Sequence, residues 1–197
     1  MWEPDVEHKG RVLLEIAHES VAHAVLGTPE TDYDEAWLWE PGATFVTLRH
    51  RGELRGCLGT LKAREPLIQD LRQNAHAVVA EDPRFPPLTA EELPETSVEV
   101  SLLSPLEEVP CGSEDDAVHL LSRGQDGWVL SYRSHSGTFL PQVWENLPGP
   151  RDFLRRLKEK AGLPAAFWDP EIRLYRYTVE KWGSPVRTEG EGAADSC

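Results

Sequence analysis

The segment with the clearest chemical potential places Cys57 between Gly56 and Gly59. Residues 49–64 carry five basic side chains and one acidic one, a local charge of +4 in a chain whose formal net charge is −14. Positive surroundings favour the thiolate, which is the nucleophilic form of cysteine. Glycines allow a ligand to approach the backbone closely and can present N–H groups to an anion. The segment therefore predicts a reactive thiol or an anion-binding loop.

A structural interpretation of the same residues stays open. Cys57 could be a strand cysteine between glycines that only permit close packing. Simple alternation along a strand puts Arg55, Cys57 and Gly59 on one face and Leu54, Gly56 and Leu58 on the other. This arrangement predicts that Cys57 lies beside a charged residue and not deep in the core.

Glu99 is the second candidate for chemistry. It interrupts a strand whose other face is apolar, with Val98 and Val100 as its neighbours. A carboxylate in this position could act as a base, orient Arg55, or simply be solvated.

The histidines do not predict a metal site. His18 and His23 are five residues apart, which separates them by roughly 140° around a helix, so they cannot share an ion on one face. The sequence contains no phosphate-binding loop, no dinucleotide-binding glycine pattern and no nucleophile elbow of hydrolases. We therefore predict no metal and no cofactor.

Composition restricts the classes of partner. The negative net charge repels phosphate backbones, which argues against general nucleic-acid binding, although a small anionic ligand could bind the local basic segment. We expect no membrane span, because no apolar run approaches the roughly 18 residues required. Residues 1–5 do not resemble a secretory signal, and three widely spaced cysteines do not form a disulfide framework. These features predict a cytoplasmic protein.

Periodicity predicts four helices, over residues 11–26, 65–80, 113–121 and 150–161. It predicts strands over 43–48, 53–59, 97–103, 127–133 and 171–182, the first two joined by a turn at residues 50–53 and residues 134–137 forming another turn. Irregular alternation with hairpins indicates an α+β fold with antiparallel or mixed sheets and flanking helices.

Five blocks in order resemble the signature of the AMMECR-type domain family. The first joins FVTL at 45–48 to LRGCLGT at 54–60, with Leu58 where isoleucine is common. The second is DPRFPPLT at 82–89 followed by EL at 92–93, and the third is EVSLLSP at 99–105. The C-terminal blocks are TFLPQVWE at 138–145 and KAGL at 160–163. The resemblance covers roughly residues 11–181.

The resemblance implies two subdomains around a cleft. We expect one AMMECR-type domain over 10–183, with a small subdomain inserted near 57–104, and a disordered tail over 184–197. The family is similar to component A of the AmmeMemoRadiSam system, which implies association with a radical S-adenosylmethionine (radical SAM) protein and a Memo-type protein. Its biochemical activity is not established, so whether the chain is an enzyme stays open.

Two functions follow as hypotheses. In the favoured one, the chain is an accessory component with a functional cleft, and the helix face with Arg155, Arg156 and Lys158 and the region of Trp144 are further contacts. In the alternative, Cys57 is a nucleophile or redox thiol acting on a small anionic substrate, assisted by Arg55 and Glu99. The cleft residues expected in either case are Gly56, Gly59, Thr60, Asp82, Arg84, Phe85 and Gln142.

Overall fold

The computed structural model describes residues 5–121 and 126–184, except for the side chains of Gln142, Glu145 and Asn146. The chain forms two compact units, and the described part of the first comprises residues 5–103 and 180–184. The second unit is Ser104–Val179. This division differs from the insertion predicted near 57–104, because residues 57–103 belong with the N-terminal part of the chain. Residues 185–197, including Cys197, lie outside the described residues.

Both units combine helices with antiparallel strands, so the predicted α+β class is confirmed. The first unit contains α1 (Val6–Leu26), α2 (Leu67–Ala80), β1 (Pro41–Gly42), β2 (Thr44–His50), β3 (Glu53–Gly59), β4 (Glu65–Pro66), β5 (Thr96–Leu103) and β10 (Val179–Gly183). The second contains β6 (Glu107–Val109), α3 (Glu114–Leu121), β7 (Gly127–Tyr132), β8 (His135–Phe139), α4 (Pro150–Lys160) and β9 (Arg173–Tyr177). Among the described residues, no helix is both long and apolar enough to cross a membrane.

In the first unit, a four-stranded sheet of order β10-β5-β2-β3 has both helices against one face. The buried residues between the helices and the sheet include Leu13, Ile16, Leu71, Val46 and Val100. Helix α1 begins at the cap of Asp5, whose carboxylate accepts a bond from the backbone N–H of His8 at 2.7 Å, and ends at Gly27 with a φ of 71°. Strand β3 forms one edge of the sheet.

The β2–β3 hairpin contains a β-bulge that places one extra residue in β3. Arg51 and Gly52 turn the chain with φ angles of 52° and 87°, as a two-residue hairpin turn requires. Arg49 faces Leu54, but Leu48 faces Gly56, so Arg55 is the residue without a counterpart. A bulge interrupts simple alternation and redirects side chains. The predicted alternation through Arg55 is therefore wrong.

The second unit has a sheet of order β6-β9-β7-β8 and a core that includes Trp128, Leu130, Phe153 and Leu174. Lys158, expected with Arg155 and Arg156 on a contact face of this helix, is instead fully buried, and its ammonium donates to Glu114 at 2.7 Å. Trp144 stacks on Phe153 with ring centroids 3.9 Å apart.

Two predicted boundaries are wrong in this part of the chain. The single strand expected over 171–182 is divided into β9 and β10, which belong to different sheets. Thr178 separates them, and its backbone N–H and C=O bond to Ser104 instead of continuing a ladder. The turn expected at 134–137 comes earlier, at Arg133, whose φ is 52°, so His135 already starts β8.

Candidate functional site

Asp82 holds the exposed edge of β3 at Cys57. The backbone N–H of Cys57 donates to Asp82 Oδ2 at 2.9 Å, and Arg84 Nη2 reaches the Cys57 carbonyl oxygen at 3.4 Å. Arg84 in turn binds both carboxylate oxygens of Asp82, through Nε at 2.9 Å and Nη2 at 2.7 Å. An edge strand has unpaired backbone groups, and this Asp–Arg pair satisfies those of Cys57.

Asp82 is a fixed negative charge and not a proton acceptor for chemistry. Its side chain is 2% exposed, whereas that of Arg84 is 53% exposed. The bonds from Arg84 hold the pKa of Asp82 far below its ordinary range despite burial, and the N–H of Cys57 adds to the effect. A carboxylate with four donors has the hydrogen bonding of a structural acceptor.

Arg55 is fully engaged away from the thiol. Its guanidinium binds Glu92 through two bonds of 2.9 and 3.0 Å and donates to the carbonyls of Pro86 and Pro87 at 2.9 and 3.1 Å. The ring of Phe85 lies 5.9 Å from Arg55 Cζ and 5.4 Å from Arg84 Cζ, within cation–π range. Arg55 therefore fixes the proline-rich connector beside β3.

The pairing of Glu92 with Arg55 should make the stability of the fold depend on pH. The bonds from Arg55, followed by the backbone N–H of Thr89, lower its pKa from 4.5 to about 2. A lowered folded-state pKa stabilises the fold above pH 4.5, and the contribution disappears as pH falls towards 2. Allowing for its partial exposure, we expect Glu92→Gln to cost about 1–2 kcal/mol at neutral pH.

Denaturant unfolding of both proteins at neutral pH and near pH 2 tests this expectation. The difference between wild type and Glu92→Gln should shrink towards zero at the acidic end. The exposed neighbour Glu91 provides the control substitution, Glu91→Gln. A difference that is the same at both pH values would show that the Arg55–Glu92 pair does not stabilise the fold in this way.

The glycines around Cys57 are explained by packing. A Cβ built on Gly59 would lie 2.4 Å from the carbonyl oxygen of Thr44 and 2.3 Å from the ring of Phe45. A Cβ on Gly56 would lie 3.0 Å from both a methyl group and the carbonyl of Val78 in α2. These contacts favour the structural interpretation of both glycines over an anion-binding loop.

Cys57, Thr47 and Glu99 form a row across three strands, which we call the Cys57 row. Thr47 of β2 lies directly opposite Cys57 of β3 on one side and Glu99 of β5 on the other. Directly opposed residues share a face of the sheet. The Thr47 hydroxyl donates to Cys57 Sγ at 3.3 Å. All three residues are half-buried.

Glu99 is paired with two cations in this row. Its carboxylate binds Arg49 Nε at 2.9 Å and Lys181 Nζ at 2.7 Å. Burial alone would raise its pKa, but Lys181 and Arg49 hold the pKa below its ordinary value. Glu99 is therefore a charged group, and the structure gives Arg55 a different carboxylate, that of Glu92.

Two other predicted residues belong to other parts of the structure. The Thr60 hydroxyl donates to Asp70, in a buried network that includes Thr44 and Asn74. Gln142 is in a short 3₁₀ helix of the second unit, Pro141–Asn146, and its side chain lies outside the described part of the chain.

Sequence reasoning missed the partners that define the geometry. These partners are Thr47 within the row, Arg49 and Lys181 beside it, and Glu92 beside Arg55. The hairpin alone predicts the wrong partner for Thr47. A two-residue turn without a bulge would pair Thr47 with Gly56, whereas the structure pairs it with Cys57. The 37-residue separation of Arg55 and Glu92 gives no pattern that periodicity can detect.

A groove of about 950 Å³ lies elsewhere on the first unit. Its lining includes Leu14 and His18 of α1, Leu93, Val98 and Trp182. None of the sequence-predicted site residues lines it, so the groove and the Cys57 row are separate features.

Comparison with known proteins agrees with the five sequence blocks. Residues 14–182 match the AMMECR1 family. A protein of Methanothermobacter thermautotrophicus is 35% identical over 189 residues, covering 91% of this chain and 96% of that protein. One from Thermotoga maritima is 36% identical over 156 residues, covering 78% and 84%.

The crystal structure of the uncharacterized protein PH0010 from Pyrococcus horikoshii is similar in fold. It has a TM-score of 0.75 and 31% identity, with 89% of this chain and 91% of that chain covered. The chain belongs to the AMMECR1 family.

Proposed function

We propose that the protein is a cytoplasmic accessory component of a modification system that contains a radical SAM protein and a Memo-type protein. In this proposal the Cys57 row, with Arg49 and Lys181 beside it, binds a partner segment or small ligand. The chain belongs to the AMMECR1 family. The resemblance of that family to component A of the AmmeMemoRadiSam system supports a role with these two partner proteins. The chemistry of the sheet face supports binding over catalysis.

The observation that carries the proposal is the pairing of the groups that catalysis would need. Arg55, the expected activator of the thiol, has four hydrogen bonds to Glu92 and the connector carbonyls. Glu99, the expected base, is held by Arg49 and Lys181. Groups fixed in this way hold a surface in one conformation, which reduces the entropic cost of binding.

The row also has the composition of a recognition surface. It presents a thiol, a hydroxyl and a carboxylate, flanked by a guanidinium and an ammonium group. Paired charges at a half-buried site contribute to specificity and orientation more than to raw affinity. An anionic ligand could bind the exposed part of Lys181 or Arg49, whose side chains are 41% and 37% exposed.

We expect Lys181→Ala to weaken capture of the radical SAM and Memo-type proteins about fivefold or more, as substitution of an important interface residue does. Lys62→Ala, at an exposed lysine outside the row, is the matched control. Pull-down with the purified full chain as bait measures the effect. Equal capture by wild type and Lys181→Ala would contradict the role of the row, and no capture by wild type would contradict the partner assignment.

A thiol-dependent enzyme acting on a small anionic substrate is the second candidate. One observation favours it, namely the hydroxyl of Thr47 that donates to Cys57 Sγ. Cys57→Ser separates the two functions in the same assay, with Cys111→Ser as the control at the other described free cysteine. Retained capture with lost turnover of the reconstituted system would support the enzyme, and unchanged turnover would support the accessory function.

A further inference from the structure

His23, Glu30 and His76 come together on the first unit, away from the Cys57 row. One ligand atom of each lies within 4.8 Å of the other two. His23 is on α1, His76 is on α2, and Glu30 is in the segment that follows α1. Spacing along the chain does not indicate this cluster, because the only histidine spacing that suggests a metal site lies within a single helix.

We propose that these three residues form a binding site for a divalent metal ion of the zinc class. Two imidazoles and one carboxylate are the protein ligands of one familiar type of zinc site, which leaves a fourth position for water. Two tetrahedral zinc ligands are roughly 3.4 Å apart, and His76 Nε2 lies 3.2 Å from Glu30 Oε1. The two imidazole rings are 5.3 Å apart between centroids, and the three ligand atoms lie within 4.8 Å of one another, so a small closing movement would bring them to ligand distance.

Each helix supplies one imidazole and one group that holds the carboxylate. On α1, the fully buried hydroxyl of Ser20 donates to Glu30 Oε1, three residues before His23. On α2, Arg72 Nε lies 3.7 Å from the same oxygen, four residues before His76. Residues three or four apart share a helix face. Glu30 is thus fixed between two helix faces that each carry a histidine.

His23 has the outer-sphere contact typical of metal-binding histidines. Its Nδ1 lies 2.5 Å from the carbonyl oxygen of Thr28. A hydrogen on Nδ1 that is donated to a carbonyl leaves the lone pair on the other ring nitrogen and fixes the orientation of the ring. The same contact ties the site to the turn after α1.

The ligand set selects the class of metal. Arg72 Nε lies 3.7 Å from Glu30 Oε1 and partly offsets the charge of the carboxylate, so the choice of metal depends on the two imidazoles. Calcium and magnesium prefer oxygen ligands, whereas imidazole suits zinc, copper, iron and nickel. The site is independent of the function proposed above, because it uses none of the residues of the Cys57 row.

Cobalt(II) substitution tests the proposal on the full chain after removal of metal with a chelator. We expect one equivalent to bind with the visible absorption of tetrahedral cobalt and to be displaced by zinc. His23→Ala and His76→Ala should each weaken binding more than the roughly 10–100-fold typical of outer-shell substitutions. Ser20→Ala should fall within that outer-shell range. His50→Ala, at a histidine outside the cluster, should bind as wild type does.

His76→Gln keeps the proposal testable if the alanine variant unfolds. Glutamine can still donate to Glu30 but is a poor metal ligand, so the fold should persist while cobalt binding is lost. Circular dichroism of the metal-free proteins checks the fold. The absence of tetrahedral cobalt in wild type, equal binding by His76→Gln, or the charge-transfer absorption of a thiolate ligand would each overturn the proposal.

Discussion

Replacing Asp82 by asparagine is expected to lower the free energy of unfolding by about 2–4 kcal/mol, because the buried amide leaves donors of Arg84 and Cys57 without an acceptor. The carboxylate is buried, and each oxygen accepts two bonds. Oδ1 accepts from the backbone N–H and Nε of Arg84, and Oδ2 accepts from the N–H of Cys57 and Nη2 of Arg84. In asparagine one of these oxygens becomes an amino group, which would face two donors in either orientation.

Denaturant unfolding of Asp82→Asn beside wild type measures the loss. Glu81→Gln, an exposed carboxylate one residue earlier, controls for the change in net charge. Amide hydrogen exchange at Cys57 provides a local measurement, since its N–H loses its acceptor in one orientation of the amide. A variant within about 0.5 kcal/mol of wild type, the usual range for surface substitutions, would show that Asp82 does not hold the edge of β3.

Gly59→Ala is expected to cost about 3 kcal/mol or more, at or beyond the upper end of ordinary overpacking. The added methyl group would meet backbone atoms of β2, at 2.4 Å from the Thr44 oxygen and 2.6 Å from the Phe45 Cα. Backbone in a paired strand cannot move aside as a flexible side chain can, so the hairpin must open. For a chain of this length the loss corresponds to roughly 6–12 °C in Tm.

A graded series of alanine substitutions separates this effect from the general cost of replacing glycine. Gly56→Ala should cost less than Gly59→Ala, because its Cβ contacts lie at 3.0 Å. Gly112→Ala should be nearly neutral, because its Cβ would be 3.5 Å from an Asp116 oxygen, an ordinary contact. Calorimetry that ranks the three differently would contradict the packing explanation of the Cys57 segment.

The elements of the fold could largely be predicted because they depend on local patterns. The apolar stripe of α1, the alternation of β5 and the capping pair Thr89–Glu92 are all encoded within a few residues. In this pair the Thr89 N–H donates to Glu92 at 2.9 Å. The prediction of a single strand over 171–182 failed. This continuous β-branched and aromatic run is divided at Thr178 by bonds to Ser104, 74 residues earlier.

The candidate site could be predicted only in part, for a similar reason. Composition selected Cys57, and alternation assigned its charged neighbour. The bulge at Arg55 then changed which side chain lies beside the thiol, and a bulge leaves no periodic trace in a single sequence. Arg55 meets Glu92, and Cys57 meets Thr47, through pairings that depend on tertiary structure.

The cluster of His23, Glu30 and His76 was missed for a third reason. His23 and His76 are 53 positions apart and belong to two helices whose contact depends on the whole core of the unit. Spacing along the sequence can indicate ligands that lie on one helix or strand, whereas the three residues of this cluster lie on two helices and a connecting segment. Only the packing of α1 against α2 places the imidazoles near Glu30.

The division of the chain has a consequence for biosynthesis. Strand β10 neighbours β5 in the sheet of the first unit, but the ribosome completes it only after all of Ser104–Val179. Until then β5 is an edge strand, and the Val98 backbone lacks its bond to Ser184. The second unit is continuous in sequence and can emerge complete beforehand. While those 76 residues are being synthesised, the unpaired backbone groups of β5 are therefore available for pairing with another chain, which favours aggregation.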